Sequence, residues 1–259
     1  MNNTNYEEME GIRRSELWLF KKSPLHYKWF MEHPTEPTPA MVFGQAMHKY
    51  LLEPETFSDE FAIVPAVDRR TKVGREQFND FLSTNSGKTF ITEDDMNKIG
   101  AMKMSLLENE EVRELFAHNK VVEMPYTWTD AATGEKCKVK ADMVISNVVG
   151  FSRPCIIDYK TTNSCADGAF EKSCRIYGYD FQSGMYTEGI NICTLEEHGF
   201  IFIAQEKEPP YASRVYYCSD YFIDRGKRIF HELLDVYHSC RTADSWEGYE
   251  STELFGEDW

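Results

Sequence analysis

Residues 154–162 read PCIIDYKTT, an apolar approach through Ile156 and Ile157 into an acid, Asp158, with Lys160 two positions on. Side chains at i and i+2 share a face of an extended strand, so Asp158 and Lys160 point the same way. An Asp-x-Lys pair alone is usually a solvated surface ion pair. The two isoleucines place this strand inside a sheet, where unpaired charge is costly. Upstream, Val121–Thr129 and Lys136–Ser146 alternate with period two around Asp130–Gly134, the signature of a hairpin. Asp142 lies in its second strand, with fifteen residues between it and Asp158. Adjacent strands would bring two carboxylates and an ammonium to one spot, and a divalent cation is the natural occupant. An oxygen-rich site suits magnesium or manganese better than zinc. Such a site fits phosphodiester hydrolysis: the cation polarises a phosphoryl oxygen and stabilises the leaving oxygen, while Lys160 positions water and offsets negative charge.

Further along, Tyr179–Ile192 reads as a helix, Gly199–Gln205 and Tyr211–Cys218 as strands, and Asp220–Arg241 as an amphipathic helix capped by Ser219 or Asp220. The first 120 residues read as helical. Leu17, Phe20, Tyr27 and Phe30 recur near helical spacing, with a break at Ser23-Pro24. Pro39–Glu53 carries an apolar face of Val42, Ala46, Met47, Tyr50 and Leu51 and stops at Pro54, with His48 about 200° from Tyr50. Thr92–His118 reads as one helix with an acidic first turn. Asp68–Arg75 reads as a loop in which Arg69, Arg70, Lys72 and Arg75 cluster; a solvated loop is the default, and a phosphate clamp is the functional alternative. These elements predict an α/β fold: a central mixed sheet of about five strands flanked by helices, with a helical N-terminal portion. A single domain would span 1–241, followed by an exposed or loosely docked tail, 242–259, with six carboxylates and no base.

The 259 residues carry 28 basic and 43 acidic side chains, a formal charge of −15, which opposes broad contact with nucleic acid. Any DNA contact must then be confined to a locally basic passage, for which Arg69–Arg75 is the candidate. Hydrophobic residues at 42% exclude a disordered chain, and no apolar run approaches the roughly 18 residues of a membrane helix. No apolar segment follows the basic residues near the start, so the expected location is cytoplasmic, without membrane attachment. The seven cysteines are widely spaced without a CxxC pair, which predicts reduced thiols.

SELW from residue 15, SPLHY from 23, FGQAMHKYLLEP at 43–54, RRTK from 69, Ala141-Asp142, IIDYKTT at 156–162 and QSGMY at 182–186 follow one another in order. As a set they resemble the PD-(D/E)xK nuclease superfamily in its RecB-like branch, and within it the RecE-type (exonuclease VIII) phage and prophage exonucleases. The resemblance implies a Mg2+-dependent exodeoxyribonuclease, with Mn2+ able to substitute, that digests linear double-stranded DNA from an end, 5′ to 3′, and leaves 3′ single strands for annealing-type recombination. It implies a ring-shaped homo-oligomer, a single-strand annealing protein as partner, and a bacterial cytoplasmic setting with phage or prophage origin.

Position by position, the resemblance makes His48, Asp142, Asp158 and the backbone carbonyl of Tyr159 metal ligands and Lys160 the catalytic lysine. Glu123 becomes an additional catalytic acid for a second metal or its water, with Glu135 as an alternative. Gln182 and Tyr186, one helical turn apart, organise the site and contact DNA. Thr161 and Thr162 can donate hydroxyls to phosphate. The sequence has Asp where Glu is commoner at 158, and no proline before Asp142. Cys155, Cys165 and Cys174 lack a grouped fourth partner, so no iron-sulfur cluster is expected. Two other readings stand beside this one: a different PD-(D/E)xK activity, endonuclease or single-strand exonuclease, and a non-catalytic DNA-end-binding scaffold. The joint presence of Asp142, Asp158 and Lys160 weighs against the scaffold.

Overall fold

A computed structural model describes residues 6–146 and 152–252. Strand β1 (Ile12–Arg13) runs directly into a single turn of helix, α1 (Arg14–Leu17), and a 3-10 turn at Trp18–Lys21. Two capped helices follow. The Ser23 hydroxyl accepts the His26 N–H at the start of α2 (Pro24–Glu32), and Thr38 accepts the Met41 N–H at the start of α3 (Pro39–Leu52). Each has proline in its first turn, where the missing N–H costs nothing. A satellite unit comprises α4 (Phe57–Glu60), β2 (Phe61–Ile63), α5 (Lys72–Thr84) and β3 (Thr89–Ile91), with β2 and β3 paired in parallel.

Two sequence expectations change here. The stretch 68–75 is not a loop throughout: the Thr71 hydroxyl accepts the Gly74 N–H at 3.0 Å and opens α5 at Lys72. The polar composition of its first turns hid that start. The single helix expected over 92–118 is two, α6 (Glu93–Glu108) and α7 (Glu110–Ala117). The Asn109 side chain accepts the N–H groups of Glu111 and Val112 and so restarts the helix.

The remaining elements are β4 (Lys120–Thr129), β5 (Lys136–Ile145), β6 (Cys155–Thr162), α8 (Ala169–Tyr177), α9 (Tyr179–Thr194), β7 (Gly199–Glu206), β8 (Ser213–Tyr217) and α10 (Asp220–Ala243). The mixed sheet runs β4-β5-β6-β7-β8, antiparallel except for the β6–β7 pair, whose crossover carries α8 and α9. The short β1 pairs in parallel with Cys137 and Lys138 of β5. Since β4 already occupies one edge of those residues, β1 shares with β6 the other edge of β5. Asp130 shapes the β4–β5 turn, its Oδ1 accepting both the N–H and the hydroxyl of Thr133.

Both faces of the sheet are covered, which is why β6 and β7 read as continuous apolar runs. Ile156, Phe200 and Phe202 pack with Phe181, Met185 and Phe230 of α9 and α10. Ile157, Ile201 and Ile203 pack with Met47, Ile99 and Met102 of α3 and α6. Strand β5 is irregular: Cys137, Val139 and Ala141 belong to the first cluster, whereas Met143 and Ile145 belong to the second. Alternate residues of a regular strand keep to one face, so β5 changes faces at Asp142. Opposite it in the β4–β5 register stands Glu123, in the left-handed region at φ 51°. The disturbance in both strands falls on two acids.

The acidic segment after α10 is fastened where it is described. Trp246 stacks on Tyr27 with centroids 5.5 Å apart, and the Glu247 carbonyl accepts the Leu25 N–H at 3.0 Å. Residues 253–259 of the expected tail lie outside the described residues. Among the described residues no helix is long and apolar enough to cross a membrane.

Candidate active site

The β5–β6 ladder ends at the pair Met143 and Ile157, and the next facing positions, Asp142 and Asp158, lie where the strands separate. There the Asp142 carboxylate replaces a backbone partner: its Oδ2 accepts the Tyr159 N–H at 2.8 Å. His48 reaches in from α3, with Nδ1 3.3 Å from the same oxygen and its ring edge-on to Tyr159 at 5.2 Å. The Tyr159 hydroxyl donates to Gln205 Oε1 at 2.6 Å, and the Gln205 amide donates to the carbonyls of Met102 and Tyr211 at 2.8 and 3.1 Å. This buried relay fixes β6 at the residue between Asp158 and Lys160. The ligand atoms of His48, Glu123 and Asp142 lie within 4.8 Å of one another.

Charge is unevenly settled. Lys160 Nζ lies 2.5 Å from Asp158 Oδ2, and Lys140 pairs with Glu123. Asp158 Oδ1 accepts the Gln182 side-chain amide. Among the described residues Asp142 has no ammonium of its own, and burial together with the Asp158 carboxylate pushes its carboxyl well above the usual range. Burial and the Lys160 ammonium push His48 below its ordinary value, which keeps the imidazole neutral with a lone pair available for a ligand role. Carboxylates crowded beside a neutral imidazole fit a divalent metal ion. His48, Glu123 and Asp142 would hold it, since their ligand atoms lie together; Asp158, which the resemblance also makes a ligand, is turned to Lys160 and the Gln182 amide.

The crowding sets a stability prediction. A carboxyl whose folded pKa is raised leaves stability untouched at low pH. It destabilises progressively as pH rises through the unfolded value near 4 toward the folded one. Asp142→Asn should therefore raise the melting temperature of metal-free protein at pH 8 and have little effect at pH 4. Added Mg2+ should raise that temperature in the wild type, more at pH 8 than at pH 5, and should do little for the variant. A metal-free Asp142→Asn protein that melts below the wild type at pH 8 would contradict this electrostatic account.

Around these groups opens a cleft of about 830 Å3. Thr161, Gln182 and Tyr186 line it, the last two from one face of α9. Burial pushes the Tyr186 hydroxyl well up, so it stays protonated. Thr162 is buried outside the cleft lining and donates to the Ser164 carbonyl. Glu135 is held by His238 and Arg241 at distances of 2.7 and 2.8 Å, so Glu123 is the acid that faces the cleft.

The basic cluster is not brought to the cleft. Arg70 forks onto Asp68, Arg69 lies over the Phe78 ring at 4.7 Å, Lys72 is 3.8 Å from Glu76, and Arg75 donates to the Arg70 carbonyl. Two of the four, Arg70 and Lys72, thus pair with acids beside them in sequence. Lys140 and Arg14 line the cleft instead. Lys140, two residues before Asp142, had a signal in strand alternation. The SELW segment acts through packing: Trp18 stacks on Phe181, and a Cβ at Gly178 would come within 2.4 Å of the Trp18 ring. Gly178, at φ 64°, ends α8 and opens α9, so this contact sets where Gln182 stands.

Two facing acids where β strands diverge, with a lysine two residues beyond the second, on a mixed sheet covered by helices, define a PD-(D/E)xK-type domain. Residues 14–256 match the PDDEXK-like domain of unknown function (DUF3799), and the chain belongs to that family. No curated protein matches the sequence. Among solved structures, the fold is similar to a crystal structure from Eubacterium rectale, provisionally named an exonuclease. The TM-score is 0.63 at 16% identity, over 95% of this chain and 88% of that one. A crystal structure of SSO0001 aligns over 75% of this chain and 85% of its own at 15% identity, with a TM-score of 0.32, and adds nothing to the fold assignment.

Proposed function

We propose that this chain is a Mg2+-dependent exodeoxyribonuclease of the RecE type, which enters linear duplex DNA at an end and removes one strand 5′ to 3′. The observation that carries the reading is the meeting of His48, Glu123, Asp142 and Lys160 at one cleft, with Gln182 and Tyr186 on its wall and Asp158 buried against Lys160 and Gln182. The exonuclease name of the Eubacterium rectale protein supports it. Bound Mg2+, or Mn2+ in its place, supplies Lewis-acid polarisation of the phosphoryl group and lowers the pKa of water.

The chain's own residues do the rest. The Tyr159 N–H keeps Asp142 turned into the cleft, and Gln182 fixes one oxygen of Asp158, so both carboxylates are oriented before substrate arrives. Lys160 places its ammonium where negative charge grows on the phosphoryl group and orients the attacking water. The protonated Tyr186 and Thr161 hydroxyls donate to phosphate oxygens. A formal charge of −15 repels the duplex flanks and leaves the cleft as the favourable approach, which suits an end rather than an internal site. On the same reading the protein works in the bacterial cytoplasm, phage or prophage encoded, as a ring-shaped homo-oligomer beside a single-strand annealing protein.

Polarity is checked with linear duplex labelled at the 5′ or the 3′ end. Acid-soluble label should leave 5′ ends first in Mg2+. Label released first from 3′ ends would contradict the proposed direction.

A further inference from the structure

The cations that line the cleft divide into paired and unpaired. Lys140 is matched by Glu123 and Lys160 by Asp158. Lys49 is matched by Glu53 and Glu60, and Arg13 by Glu7 and Glu16. Arg14 has no carboxylate within 4 Å among the described residues, although it lines the same cleft. One of its terminal nitrogens donates to the carbonyls of Tyr177 and Gly178, at the junction of α8 and α9. Its guanidinium carbon lies 5.6 Å from the Trp18 ring centroid and 5.7 Å from that of Phe181. Its Nε is buried without a hydrogen-bond partner. Burial holds this guanidinium below its usual pKa, with Tyr186 and Asp158 as its strongest electrostatic neighbours.

A partly buried cation that is rigidly held yet lacks a counter-ion is costly in the free protein. The cost is recovered when an anion arrives. The planar fork of arginine suits phosphate oxygens, and the contacts to two carbonyls and two rings remove most of the freedom that the side chain would otherwise lose on binding. Resting on the nuclease reading above, we propose that Arg14 is a substrate-binding residue that grips a phosphate of the bound DNA strand in the cleft that the Asp142 carboxylate also lines. The strand is then held at two places, by the guanidinium and at the carboxylate site. Arg14 thereby sets which phosphate lies beside Lys160.

The test compares full-length wild type with Arg14→Met and Arg14→Lys by fluorescence anisotropy of a labelled blunt duplex in Ca2+ across a salt series, alongside thermal melting. Arg14→Met should weaken binding roughly 10- to 100-fold and lower the slope of log affinity against log salt by about 0.9, the loss of one phosphate contact. Its melting temperature should stay at or above that of wild type. Arg14→Lys should keep the salt slope and recover part of the affinity. In Mg2+, Arg14→Met should raise KM more than it lowers kcat. Equal affinity and slope in wild type and Arg14→Met would overturn the role of Arg14 alone. So would parallel loss of affinity and melting temperature in both variants, which marks a structural arginine. A wild-type chain that binds no duplex overturns the nuclease reading instead.

Discussion

Lys160→Ala and Asp158→Ala should each lower the single-turnover rate on linear duplex DNA by about 10^3-fold or more, in line with the loss of a preorganised charge at a reacting centre. The two substitutions differ in their effect on stability. Lys160 is the ammonium that meets Asp158, a side chain only 3% exposed. Removing the lysine leaves that carboxylate with the Gln182 amide but without its cation, at a cost of about 1–3 kcal/mol in the metal-free protein. Asp158→Asn removes the charge and keeps the shape, so it should melt close to wild type while remaining inactive. Circular dichroism melts beside quench-flow rates separate the two effects. Near-normal turnover by Lys160→Ala would mean that the Asp-x-Lys pair is not the reacting centre.

The largest effect on folding is expected at the crossing of α9 and α10. A Cβ at Gly226 would lie 1.8 Å from the Asp180 carbonyl oxygen, and one at Gly184 would lie 2.2 Å from the backbone of Gly226 and Lys227. Both obstacles are backbone, so no side chain can move aside and the helices must separate. Gly226→Ala should cost about 3 kcal/mol or more, above the usual range for overpacking, and lower the melting temperature by roughly 6–12 °C. Activity should fall with it, because α9 carries Gln182 and Tyr186. Gly100→Ala is the control. It lies within α6 with open space at the Cβ position, and should gain up to about 1 kcal/mol from helix propensity. A Gly226→Ala protein that melts like wild type would show that the helices do not cross this closely.

The sequence displays the strands that carry the site because their residues pattern locally: two isoleucines before Asp158, period-two alternation around Asp142, and a turn-rich stretch between the hairpin strands. It also displays Gln182 and Tyr186, since helical spacing alone puts them on one face. It hides what depends on distant partners. The change of faces at Asp142 and the left-handed backbone at Glu123 occur together across two strands, and neither leaves a mark in composition. Strand β1 is two residues long and has no period to detect. Arg14 is conspicuous only once its surroundings show that it lacks an acid.

The cluster from Arg69 to Arg75 illustrates the opposite case. Local density of positive charge suggests a DNA passage, yet charge density says nothing about location. Asp68 and Glu76, neighbours in sequence, pair with Arg70 and Lys72, while the cations that reach the cleft, Arg13, Arg14, Lys49, Lys140 and Lys160, are dispersed along the chain. The cations of the cleft come together only on folding, and acids line it beside them.

Hydrolysis tests the nuclease assignment most directly. Purified wild-type protein should release acid-soluble nucleotides from linear duplex DNA in Mg2+, release none in the presence of chelator, and leave covalently closed circles intact. Linear duplex bound but left whole under every divalent metal would contradict it and leave a non-catalytic protein that holds DNA ends.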